Sequence, residues 1–430
     1  MGWHIFRSLL GLVLLIGFCC LLSEKKKAIN WRLVPAGVLL QIILATLILW
    51  VPPIESALEG VSIFFIRLLE FSNEGAGFVF GKLATDSSYE AVIAFRVLPS
   101  IIFISAFTSV LYYLGLLQKI VFGFAWIMQR TMKLSGAESF AAAANVFVGQ
   151  TEAPLMVKPY LKEMTRSEVL CLMTGGMATI AGGVLVAYIS ILGGENPERQ
   201  VAIGKHLLTA SILSAPAAIL CAKLLLPETE AIDQDLKVSR ESIGCNLFDA
   251  ITAGTTQGLK LALNVGAILL VFIAMIAMIN YITINWIGSW TGLNAIIVEF
   301  TDGRFEGLNL QFIFGVLFAP VAWIIGIESG NLLLIGQLLG EKIVLNEFIA
   351  FISLDKMVDG EVLTNERTIM ITTYALCGFA NFGSMGIQIG GIAVLAPNQR
   401  SNLATLALRA MIGGMVACLM TACVAGMFIH

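Results

Sequence analysis

Apolar runs of about 18 residues or more recur along this chain, each long enough to cross a hydrocarbon layer as a helix. With 58% hydrophobic and only 13% charged residues, the 430-residue chain reads as an all-α polytopic membrane protein. No polar stretch is long enough for an extramembrane domain of ~100 residues. A net charge of −3, with its charges scattered, excludes a nucleic-acid partner and a strong polybasic lipid anchor. The eight cysteines form no CxxC or Cys/His cluster and read as small core hydrophobes. Without a nucleophile pair, a Walker loop or metal-ligand spacing, no enzyme is indicated.

Eight spans are expected near 5–23, 33–52, 91–117, 168–192, 202–226, 260–283, 369–395 and 402–428. The first, from Met1 to Leu22, lacks a cleavage site and reads as a retained helix. Lys25, Lys26 and Lys27 mark its cytoplasmic end, which puts the N-terminus outside, and eight spans return the C-terminus outside. Lys119, Arg130, Lys133, Lys158, Lys162, Arg166, Lys237, Arg240 and Arg400 then fall inside. Arg199, Arg304, Lys356 and Arg367 fall outside. Four segments follow: 1–135, mainly scaffold and trimerisation helices with interfacial helices; 136–226, a first repeat; 227–307, a linker and scaffold helix; and 308–430, a second repeat.

Within the apolar stretches, Gly149, Gln150, Thr151 and Glu152 form a polar break followed by Ala153 and Pro154. An acidic residue at mid-membrane costs about 3 kcal/mol, so Glu152 should line a wet or ligand-filled cavity. Glu328, Ser329, Gly330 and Asn331 break a second stretch. Residues 136–164 and 308–347 are therefore expected to be re-entrant helical hairpins with polar tips at depth, where non-helical backbone is tolerated only around a cavity. Each is followed by a span interrupted by small residues: Ala178, Thr179, Ala181, Gly182 and Gly183 in one half, and Ala380, Asn381, Gly383, Ser384, Gly386, Gly390 and Gly391 in the other. The pattern is an inverted repeat whose half-helix ends meet near the midplane, as in transporters. The glycine pairs 182–183 and 390–391 can also serve close helix packing alone.

The tip groups are amide, hydroxyl and carboxylate, with no Arg or Lys nearby in sequence, which favours a neutral solute rich in hydroxyl and amide groups. Phe379 can flank a planar ring. Asn346 and Glu347 read as closing the second hairpin's outer arm and are left out of the core site, and Lys342 as snorkelling outward.

Three motifs carry a resemblance over essentially the whole chain. Asn145-x-Phe147-x-Gly149-Gln150-Thr151-Glu152-Ala153-Pro154, Gly340-x-Lys342-x-x-x-Asn346-Glu347-Phe348-x-Ala350-Phe351 and Gly378-Phe379-Ala380-Asn381-Phe382-x-Ser384 together resemble the concentrative nucleoside transporters, in their bacterial sodium-coupled branch. The resemblance implies a homotrimeric, elevator-type transporter of the cytoplasmic membrane that imports nucleosides, a pyrimidine such as uridine included, with sodium as coupling ion and no other cofactor. It implies that Gln150, Thr151, Glu152 and Val184 contact the nucleobase, that Glu328, Asn381 and Ser384 contact the ribose, and that Phe379 lines the site. It further implies a sodium site at Asn145, Val148, Thr179 and Ile180, with Asn145 and Thr179 giving side-chain oxygens and the other two carbonyls. Thr179 departs from the Ser usual in that branch, so an extra methyl must be housed. A proton-coupled nucleoside symporter and, more distantly, a channel for small polar solutes stand as alternatives. Histidines occur only at 4, 206 and 430, away from the motifs, so no imidazole proton relay is suggested.

Overall fold

The computed structural model describes residues 2–85, 93–194, 196–235 and 245–429. Lys237 and Arg240 lie outside the described residues. Every described regular element is a helix, as the recurrent apolar runs require.

Four helices lead in: α1 (Gly2–Leu21), α2 (Leu33–Trp50), α3 (Pro52–Phe80) and α4 (Leu98–Tyr113). A first repeat follows. Its members are α5 (Leu116–Met132), the hairpin arm α6 (Gly136–Phe147) with short return turns at Ala153–Met156 and Lys158–Leu161, α7 (Arg166–Ala178), α8 (Gly182–Gly193) and α9 (Pro197–Leu225). After α10 (Leu247–Ile282) and α11 (Leu293–Phe300) the same order returns. It consists of α12 (Leu310–Ile324), hairpin arms α13 (Leu332–Val344) and α14 (Glu347–Asp359), the pair α15 (Glu366–Leu376) and α16 (Phe382–Leu395), and α17 (Arg400–Ala425). Helices α7, α9 and α17 pack together as the core of the two repeats, while α4 lies along α10 at their side.

Among the described residues, seven stretches of helix are long and apolar enough to span a membrane. The eighth expected span, 369–395, is present as the two short helices α15 and α16. The span expected at 260–283 starts earlier, at Leu247, and most of its surface is exposed to the surroundings. Six cysteines, Cys19, Cys171, Cys221, Cys377, Cys418 and Cys423, are buried as expected of small core hydrophobes; Cys245 is exposed.

Helix ends buried in an apolar medium need side-chain partners for their free N–H groups, and the sequence supplies them at many of the starts within the repeats. Ser135 with Glu138, and Thr165 with Glu168, form reciprocal capping boxes at α6 and α7. Asn309, Asn346, Asn365 and Asn381 cap α12, α14, α15 and α16. These polar residues serve local chain geometry first, and they fix where the helices they cap begin.

The second hairpin differs from expectation. Its arms are α13 and α14, so it covers 332–359 rather than 308–347, and its tip is Leu345–Asn346–Glu347. The Glu328-Ser329-Gly330-Asn331 break is instead an exposed turn between α12 and α13, two helices that pack lengthwise on each other. Arg304 Nη1 donates to Gly330 O at 2.7 Å and Asn365 Nδ2 to Glu328 Oε1 at 3.4 Å, so this turn belongs to the rim of the molecule. Lys342 also departs from its expected outward pose: it is buried, and its ammonium donates to Ala375 O at 2.8 Å. A buried carbonyl in the last turn of α15, short of a helical partner, gives the charge a partner.

Candidate substrate and ion site

The two interrupted spans meet back to back. Gly378 has φ +115°, and a Cβ there would stand 2.7 Å from Ala178 O, so the second break approaches the first as only glycine allows. Cys418 on α17 reaches both ends, its thiol 3.5 Å from Ala178 O and 2.6 Å from Cys377 O. The carbonyl that ends α7 and the one on the residue capping α15, neither of which has a helical partner, thus share one side chain.

Against these breaks sit the hairpin tips. At the first, Glu152 Oε2 accepts from Gly149 N–H at 2.6 Å, closing the turn on itself. A Cβ on Gly182 would stand 2.9 Å from Phe147 O, so tip and broken helix are in backbone contact. At the second tip, Glu347 accepts from Tyr188 Oη at 2.9 Å and from Asn381 Nδ2 at 2.8 Å.

One cavity collects the chemistry. Its polar wall comes from Gln150, Thr151, Glu152, Glu347, Asn381 and Ser384. Its apolar wall includes Val184, Phe379 and, from α10, Phe272. Gln150 binds the two repeats together: its Nε2 donates to Ser384 Oγ at 3.2 Å and its Oε1 accepts from Gln388 Nε2 at 3.0 Å. The side chain of Asn381 is held from both ends, since Oδ1 caps α16 through Ser384 N–H at 2.8 Å while Nδ2 serves Glu347.

Seven of the eight substrate residues expected from the sequence line this cavity; Glu328 does not. Its place is taken by Glu347, which is buried and already engaged with Asn381. The signal was present in the Asn346-Glu347 pair after an apolar arm, where the Asn caps a helix and frees the Glu to point inward.

Asn145 and Val148 stand at the end of α6, and Thr179 and Ile180 at the break after α7; the Asn145 amide lies against Gly175 and Gly176, and Thr179 bonds to Gly175. All four are buried. Asn145 Nδ2 donates to Leu172 O at 3.4 Å, and its Oδ1 is buried without a hydrogen-bond partner. Thr179 Oγ1 donates to Gly175 O at 2.9 Å, which leaves its lone pairs free, and Val148 and Thr179 have extended backbone at the two helix ends. An orphaned amide oxygen at the end of α6, with the Thr179 hydroxyl and the carbonyls at the two helix ends, offers neutral oxygen donors of the kind a hard monovalent cation takes. Among the described residues no group of three or more His, Cys, Asp and Glu could hold a metal ion.

Comparison with known proteins places this geometry. Residues 206–426 match the Na+ dependent nucleoside transporter C-terminus model, residues 10–83 its N-terminus counterpart, and residues 94–195 a nucleoside-recognition gate model. An uncharacterized transporter of Haemophilus influenzae is 40% identical, with 99% of this chain and 98% of that protein aligned. The putative nucleoside permease NupX of Escherichia coli is 35% identical, with 99% of each covered. Sodium/nucleoside cotransporter 1 of Mus musculus is 36% identical over 96% of this chain and 63% of its own length, so this chain spans less than two thirds of it. Among solved structures, CNTnw in an inward-facing substrate-bound state superposes with a TM-score of 0.88 at 39% identity, covering 99% of this chain and 98% of that one. A substituted CNTnw in an outward-facing state gives 0.87 at 38% identity, covering 99% and 97%. The chain belongs to the concentrative nucleoside transporter family, whose members are membrane transporters and not enzymes.

Proposed function

We propose that this protein is a sodium-coupled symporter that imports nucleosides across the cytoplasmic membrane by elevator-type alternating access. The observation that carries the reading is the single cavity in which both hairpin tips and both broken spans converge, beside the orphaned Asn145 Oδ1. Gln150, Thr151 and Glu152, with Val184, hold the nucleobase by its amide-like edge. Glu347 and Asn381, with Ser384, hold the ribose hydroxyls, because a buried carboxylate is a strong acceptor for paired O–H donors; Phe379 lines the same space. Sodium sits at Asn145, Val148, Thr179 and Ile180, one helix break from the solute. Ion and solute then share the first hairpin tip, and each tightens the other.

In this reading 136–226 and 308–430 form the moving transport domain, with the second hairpin at 332–359, and α4 and α10 belong to the scaffold of a homotrimer. The two faces of the molecule support opposed entries. Arg199 pairs with Asp355 at 3.4 Å on the face assigned outside, and Arg166 pairs with Glu24 at 3.1 Å on the face assigned inside, with both termini outside. A pyrimidine nucleoside such as uridine is the expected substrate.

The test is uridine uptake into proteoliposomes under an inward sodium gradient and, separately, a proton gradient. Accumulation with sodium alone supports the coupling. Accumulation with protons alone keeps the nucleoside and removes the sodium site, and no accumulation under either removes the substrate assignment.

A further inference from the structure

Helix α13 carries a buried carboxylate that has no part in the cavity. Glu341 lies four residues before the hairpin tip residue Leu345, whose N–H donates to the Glu341 carbonyl at 2.9 Å. Its residue is 3% exposed. Oε1 accepts from Gln337 Nε2 at 2.8 Å on the same arm, whereas Oε2 is sealed from solvent and has no well-formed hydrogen bond, the Ser353 hydroxyl of the facing arm being near the carboxylate.

The surrounding charges leave it alone. Lys342, its neighbour in sequence, turns away to Ala375 O. Helix α12, packed along one side of α13, has no titratable residue between Leu310 and Ile324. From α15, Glu366 stands at the helix start, Arg367 is taken by the carbonyls of Gly326 and Gly426, and Tyr374 bonds to His206. The facing arm α14 offers the Ser353 hydroxyl and, one turn nearer the surface, the exposed Lys356. Of its other charged groups, Glu347 is engaged by Tyr188 and Asn381, and Asp355 and Asp359 by Arg199. Among the described residues Glu341 forms no ion pair.

A bare ionised oxygen in such a place is costly, since burial without a cation or enough donors removes hydration that nothing replaces. The Ser353 hydroxyl across the hairpin favours the anion, but burial opposes it more strongly; adding one proton makes the carboxyl neutral, and the same hydroxyl can then turn to accept its O–H. Separating the arms would let water reach the group and stabilise its charged form.

We propose that Glu341 is a proton-binding site built into the second hairpin, which closes on the neutral carboxyl and opens on its anion. The part of this that concerns gating rests on the proposed transport reading; the proton site itself does not. No bond other than O–H is made or broken, and the proton exchanges with water when the arms part. A closed hairpin that holds one proton more than the open one loses population about tenfold per pH unit on the alkaline side of its titration.

The experiment uses the purified full chain in liposomes and the Glu341→Gln variant, from about pH 5 to about pH 9. Infrared difference spectra read the carboxyl directly, without nucleoside or transport. The expected result is a neutral-carboxyl band that disappears on the alkaline side in the native protein and is missing in Glu341→Gln. Identical spectra for the two proteins overturn the proposal, as does a band displaced by sodium or lithium at constant pH. Initial uridine uptake at saturating sodium is the second readout: an alkaline fall of about tenfold per pH unit in the native chain, and none in Glu341→Gln. An unchanged alkaline limb in that variant also overturns it. Should Glu341→Gln not reconstitute, Ser353→Ala is expected to shift the alkaline limb, and an unmoved limb counts against the site. A titrating band in a protein that accumulates no uridine would fault the transport reading alone.

Discussion

Tyr188, on the broken span of the first repeat, donates its phenolic proton to Glu347, at the tip of the second hairpin, across 2.9 Å. The bond joins residues 159 apart in sequence and both are buried. It fixes the direction in which one Glu347 oxygen faces, so the other is presented to Asn381 and to the cavity.

From that orientation, Glu347→Gln is expected to weaken uridine binding by roughly 10- to 150-fold, the loss of one to two bonds to a charged acceptor. Glu328→Gln, at the exposed turn, should leave the affinity unchanged. Calorimetric titration at saturating sodium distinguishes them, and the reverse order of effects would move the ribose contact back to residue 328.

Asn145→Ala is expected to raise the sodium concentration needed for half-maximal uridine binding by at least about tenfold, since an amide oxygen leaves a shell that a hard cation needs filled. At saturating sodium the uridine affinity should return toward that of the native protein. Equal loss at every sodium concentration would mean that Asn145 shapes the nucleoside pocket instead.

Gly378→Ala is expected to destabilise the fold by roughly 2 kcal/mol or more, because φ of +115° strains any side chain and the new Cβ meets Ala178 O. Thermal unfolding in detergent reads this. Gly390→Ala is the control: nothing stands within 4 Å of its added Cβ, and its melting should match the native protein.

On the face assigned inside, the linker residue Glu228 is expected to add stability above the ordinary carboxylate pKa. Burial pushes its carboxyl up, but the N–H groups of Glu230 and Thr229, the Thr165 hydroxyl and Lys223 together hold it below its ordinary value. A depressed folded value means the contribution is present at neutral pH and is lost as pH falls through that lowered value. Glu228→Gln should therefore melt lower than the native protein at neutral pH and converge with it in acid; parallel curves at all pH would remove the linkage.

Much of this architecture was readable from the chain because lipid punishes polar residues. Gly149 to Glu152 and the Gly378 to Ser384 stretch stood out against apolar flanks, and both line the cavity. The second tip was obscure for a physical reason. Leu345 and Asn346 form a turn so short that only Glu347 marks it, while Glu328 to Asn331 has the composition of a deep break and lies at the rim. A turn in water and a turn at a cavity use the same residues; what separates them is the length of the arms on either side, and α12 and α13, at 15 and 13 residues, are both short of a full span. Lys342 was hidden likewise, since no sequence pattern announces a free carbonyl on another helix.

The thiol of Cys418, lodged between Ala178 and Cys377, acts as a keystone. A block pinned at its centre has no hinge through the middle. Whatever exposes the cavity first to one side and then to the other must carry both interrupted spans as one body or act at its margin, where the hairpin tips are held by side-chain bonds that can be made and broken without unwinding a helix.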